Sequence, residues 1–104
     1  MKDHPGQDPK LLKTARTELC EVLTRLGSAD QVQAFLEDLC TPAELEAMVD
    51  RWRVVPLLKD GKPYRQIHDL TGVSVTTIGR VARFLDAGNG GYETAYAKLA
   101  RYQR

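Results

Sequence analysis

The segment Tyr64–Leu85, YRQIHDLTGVSVTTIGRVARFL, leaves this chain few architectures to choose from. It divides into two short helical stretches that meet at Gly72, a residue type that tolerates positive φ and so lets a chain swing away from a helix end. Ile67 and Leu70 are the apolar positions of the first stretch. Ser74 is placed to cap the second by accepting a hydrogen bond from its first turn. In that second stretch Ile78, Val81, Ala82 and Leu85 recur at the i, i+3, i+4, i+7 spacing of one buried face. The opposite face carries Thr76, Thr77, Gly79, Arg80 and Arg83, small hydroxyls and long cations with no acid before Asp86. That is the makeup of a helix-turn-helix whose second helix enters a DNA major groove.

Set at Tyr64, a twenty-residue helix-turn-helix frame places Ile67, Val73, Ile78 and Val81 at the buried sites and Gly72 at the turn. Two positions fit poorly: His68 stands where a small residue is usual, and Thr71 where an aliphatic is usual. The bland alternative is an αα-corner that packs a core and leaves its charges merely solvated.

With 104 residues the chain suits a single domain with a modest core. No apolar run approaches the ~20 residues of a membrane span, and the opening MKDHPGQDPK has no hydrophobic stretch after its first charges, so a cytoplasmic protein is expected. Cys20 and Cys40 are far apart, with no CxxC and no histidine at a zinc spacing, and read as small core residues. No metal and no cofactor are expected. Nor is an enzyme: no Ser–His–Asp set, metal cluster, phosphate-cradling glycine loop or isolated acidic pair stands out. Net charge is only +1, but its distribution is uneven. Residues 1–60 carry eight Lys+Arg against eleven Asp+Glu, whereas residues 61–104 carry seven against three. The cationic half holds the two-helix segment. Phosphate affinity depends on local cations, and this modest excess predicts modest non-specific binding.

In chain order, residues 1–7 are expected to form a disordered tail ahead of one helical domain, 8–104. Asp8-Pro9 opens a helix whose face is Leu12, Ala15, Leu19, Val22, Leu23 and Leu26, ended by Gly27. Ser28-x-x-Gln31 is a capping box before a shorter helix with Val32, Phe35, Leu36 and Leu39 on its face. Thr41-Pro42-Ala-Glu44 opens a third, running to about Lys59, with Leu45, Met48, Val49, Trp52 and Val55 on its apolar side. Pro56, lacking an N–H, should kink that helix or begin a new turn. After Leu85, Asp86–Gly91 is a flexible break before a last helix carrying Tyr92, Ala95, Tyr96, Leu99 and Tyr102. Six helices and no strand result. The first and last have apolar faces long enough to need a partner, which a homodimer would supply.

Thr41-Pro-Ala-Glu44, Arg51-Trp-Arg53 and Thr77-Ile-Gly-Arg80 together resemble the Trp repressor. Gly61-Lys-Pro-Tyr64, Thr71-Gly72, Thr77-Ile78, Arg80-Val81 and Leu85-Asp-Ala-Gly-Asn-Gly-Gly-Tyr92 resemble still more closely the Trp-repressor-related YerC/YecD proteins. The resemblance covers about residues 35 to 100. It implies an all-α, six-helix, intertwined homodimer that presents two reading heads to successive major grooves roughly 34 Å apart. It also implies a remnant of the tryptophan corepressor pocket. Thr41, Arg51 and Arg80 match the pocket's threonine and arginines, but Val81 stands for its glycine and Phe84 for its serine. A valine and a phenylalanine there would fill the space an indole needs, and overfilling a packed site costs about 1–3 kcal/mol. Tryptophan binding is therefore not expected, and the arginines become available for phosphate or for acids such as Glu44 or Asp50.

By the same matching, Arg65 faces a guanine edge, and Val75 and Thr76 offer methyls to thymine. Thr77, Tyr64 and Lys62 are expected at phosphates, while Gly79 replaces a hydroxyl and drops one such contact. Ser74, Arg80, Arg83 and His68 complete the candidate surface, although His68 reads first as an exposed or packing histidine, and Arg83 as a stem covering apolar surface. Trp52 reads as core. The expected function is a homodimeric, sequence-specific regulator of transcription, a repressor by analogy, bound to a palindromic operator in double-stranded DNA. The alternatives are a regulator gated by another small effector, and a helical module that docks on a protein.

Overall fold

A computed structural model describes residues 8–102, with side chains described for 8–100. The expected tail at 1–7 and the side chain of Tyr102 lie outside the described residues. The elements are six helices and, among the described residues, no strand: α1 (Pro9–Arg25), α2 (Ala29–Leu39), α3 (Pro42–Lys59), α4 (Tyr64–Thr71), α5 (Val75–Ala87) and α6 (Gly91–Tyr102). They fall into two compact units, Met1–Thr41 and Pro42–Arg104.

In the first unit the caps form as their sequences require. The Asp8 carboxylate accepts the Lys10 N–H at 2.8 Å with Pro9 at the first helical position. Ser28 Oγ accepts the Gln31 N–H, while Gln31 Oε1 reaches back to the Gly27 N–H at 2.6 Å, one residue beyond the usual box partner. Neither α1 nor α2 contains a buried residue. Leu12, Leu19 and Leu26 are half-buried, but Ala15, Val22 and Leu23 face water. Cys20 is exposed and Cys40 half-buried, with no disulfide between them, so Cys20 is not the core residue its helix position suggested. The reason is that α1 has no buried face in a single chain to put it on.

The second unit contains the core. Val54, Val55, Ile67, Val73, Ile78 and Val81 are all at most 4% exposed, and Trp52, Leu57, Leu58, Leu85, Tyr92 and Tyr96 pack around them. Trp52, read as core, is half-buried and packs against it. Not every expectation holds: α5 runs on through Asp86 and Ala87 and α6 starts at Gly91, so the break expected at Asp86–Gly91 shrinks to 88–90, and Ala95 is exposed. Leu70 is 57% exposed, because the two-turn α4 docks through Ile67 and carries the next apolar position away from the core. On α3, Met48 and Val49 are 42% and 51% exposed while Val54, off the expected face, is fully buried. This helix has apolar residues on more than one side, and its fully buried residues, Val54 and Val55, lie in its later turns.

Helix α3 runs through Pro56 and ends in a Schellman motif. Gly61 (φ 77°) sends its N–H to the Leu58 carbonyl, and the Lys62 N–H reaches the Leu57 carbonyl. The chain is thereby turned into α4 within a few residues. Lys59 Nζ meets Glu93 at 2.6 Å and lies 5.6 Å from the centre of the Tyr96 ring, tying α6 to the end of α3.

Candidate nucleic-acid interface

The α4–α5 turn is held by the two residues that fit the helix-turn-helix frame poorly. Thr71 Oγ1 donates to the Ile67 carbonyl at 2.7 Å and accepts the Val73 N–H at 3.0 Å. His68 Nδ1 lies 2.8 Å from the Val73 carbonyl. A carbonyl can only accept, so Nδ1 is the donor. Gly72 adopts φ 76° and its N–H bonds the His68 carbonyl at 2.7 Å. Arg53 on α3 reaches the Thr71 carbonyl at 3.4 Å. Nothing in the spacing of Arg53 announced that link, which appears only when α3 is laid against the turn.

Ser74 then starts α5 as its position predicted, accepting the Thr77 N–H at 3.1 Å. It also donates to Thr77 Oγ1 at 3.0 Å, which leaves the Thr77 proton for an outer acceptor. With Ile78 and Val81 locked in the core and Ala82 and Leu85 half-buried, the orientation of α5 is set. Val75 is 51% exposed, and Thr76, Arg80 and Arg83 are exposed on the same side. Arg65 lies exposed in the first turn of α4, and Tyr64 beside it turns its ring edge toward Gly79. Lys62 is half-buried in the preceding turn. The first acid of α5 is Asp86, so the exposed face of its first three turns carries the cations Arg80 and Arg83 and no acid.

The residues matched to a corepressor pocket have different surroundings. Val81 is 1% exposed and belongs to the core. Phe84 is 40% exposed, with the Arg80 guanidinium 4.7 Å and that of Arg83 5.9 Å from its ring centre. Both distances are within cation–π range. The Arg80–Phe84 pairing is an i, i+4 neighbour relation that the sequence does contain. Phe84 also borders an open hollow with Gly88, Asn89, Gly91 and Tyr92. Arg51 is exposed on α3, and Thr41 is exposed just ahead of it.

The family profile described as "Trp repressor protein" matches residues 15–100. This chain belongs to the Trp repressor family. The Bacillus subtilis (strain 168) protein YerC is 35% identical over 93 residues, which span 89% of each chain. A Trp operon repressor homolog of Xylella fastidiosa (strain M23) is 33% identical over 72 residues, 68% of this chain and 78% of that one. Among solved structures, a TrpR-like protein from Eubacterium eligens ATCC 27750 superposes with a TM-score of 0.80 at 33% identity, covering 89% of this chain and 96% of that chain. A Trp repressor candidate from Staphylococcus aureus gives 0.79 at 31% identity, over 84% and 87%. The all-α Trp-repressor-like fold and the likeness to YerC follow together. Among the described residues no helix is long and apolar enough to cross a membrane.

Proposed function

We propose that this member of the Trp repressor family is a cytoplasmic, homodimeric, sequence-specific DNA-binding regulator of transcription, acting as a repressor without tryptophan. The observation that carries the reading is the exposed face of α5, cationic and hydroxyl-bearing, on a helix whose opposite face is locked into the core. In this reading α5 enters the major groove by its N-terminal end. Val75 and Thr76 meet thymine methyls, and Arg65 pairs with guanine O6 and N7. Thr77, Tyr64, Lys62, Arg80 and Arg83 hold phosphates. Residues 8–104 act as one domain, with the exposed apolar residues of α1 covered by the second subunit. Two such heads would address a palindromic operator.

Independence from tryptophan is supported by Val81, which cannot leave the core to open a gap for an indole, and by Phe84, whose ring already neighbours Arg80. Titration calorimetry with L-tryptophan should give no heat of binding; a sub-millimolar dissociation constant would end that part of the reading.

The deciding experiment is selection of bound fragments from random duplex DNA. Enrichment of a two-fold symmetric site is expected, with affinity that falls steeply as salt rises. A helical module that docks on a protein would enrich no sequence and show no such slope.

A further inference from the structure

Gly79 is a gap in the side-chain layer on the exposed face of α5, and nothing among the described residues requires it. Its φ is not positive, unlike those of Gly61, Gly72 and Gly90. A Cβ built on it would have a single neighbour within 4 Å among the described residues, Tyr64 Cε2 at 3.8 Å, which is ordinary van der Waals contact. Glycine is also a poor choice for a helix interior, second only to proline. The position therefore carries a cost in helix stability that no internal packing recovers. Around it stand Val75 and Thr76 one turn earlier and Arg80 and Arg83 beside and one turn later. The notch lies between the methyl-bearing end of the face and its cationic end, with the Tyr64 ring edge as one wall.

We infer that Gly79 is bare so that one deoxyribose of the bound duplex can close onto the helix backbone, against the edge of Tyr64. A sugar needs shape and no hydrogen-bond partner at that point, which a glycine Cα and a ring edge supply. Its flanking phosphates then fall within reach of Arg80 and Arg83. Close approach of a backbone to a ligand is a recognised use of glycine. The inference rests on the DNA-binding reading above and adds to it a residue that sets how near the helix sits to one strand.

The test compares the full-length wild-type chain with Gly79→Ala and Gly79→Ser by thermal melting and by fluorescence anisotropy on a duplex selected with the wild type. Gly79→Ala should melt about 4 °C or more higher. It should nevertheless bind the selected duplex at least tenfold more weakly, with an unchanged salt slope because no cation is lost. Gly79→Ser should also bind more weakly. Unchanged affinity in Gly79→Ala, tighter binding by Gly79→Ser, or a lower melting point for Gly79→Ala would each overturn the inference while leaving the DNA-binding reading intact. Failure of the wild type to select any duplex would remove that reading, and the inference with it.

Discussion

Thr71 serves the turn with both halves of its hydroxyl, giving its proton to Ile67 and its lone pair to Val73. Valine has the same shape and neither function. Thr71→Val should therefore destabilise the fold by about 1–2 kcal/mol, since it leaves the Val73 N–H without its acceptor beside a buried side chain. Urea denaturation checks this, and an unchanged midpoint would mean that the bond adds nothing to water. At the same scale Arg65 is exposed and its expected contribution is to reading rather than folding. Arg65→Ala should leave the melting temperature nearly unchanged yet relax preference at one base position by about 1–3 kcal/mol, read from competition between operator variants.

Helix α5 is aimed by its neighbours more than by its own helix-forming tendency. Its start is set by the Ser74 cap, and its entry angle by Gly72 in the left-handed region. A Cβ at Gly72 would meet nothing within 4 Å, so Gly72→Ala isolates the backbone cost alone, about 1–2 kcal/mol. Asparagine, which enters this region more readily, should recover part of it. Calorimetric melting of the pair distinguishes a backbone effect from a packing effect. The tie between Lys59 and Glu93 is partly exposed, at 31% and 52%, and contributes modestly to holding α6.

At the scale of the molecule, the first unit has helices without a buried residue, and Leu11, Val22 and Leu23 of α1 are 55%, 37% and 36% exposed. A second copy of the chain is the proposed cover. The melting temperature should then rise with protein concentration, as mass action requires. Leu23→Glu should lower the molar mass seen by sedimentation equilibrium from that of a dimer toward 11.6 kDa. DNA affinity should fall with it, because two linked heads bind far more tightly than one. A wild-type chain that sediments as a monomer at all concentrations would refute the arrangement.

Helix positions, caps and the α4–Gly72–α5 turn were legible in the sequence because each depends on residues within four places of one another: Asp8 with Lys10, Ser28 with Gln31, Ser74 with Thr77. The cationic face of α5 was legible for the same reason, since helical periodicity alone assigns its sides. The tertiary structure decided what local spacing cannot encode. It buried Val54 in place of Val49, turned Leu70 outward, and gave Arg53 to the carbonyl of Thr71. It also laid Tyr64, at the start of α4, against Gly79 in the second turn of α5. Which apolar face is buried depends on where the other helices lie, and a hydrogen bond across eighteen residues exists only once the chain has brought its ends together.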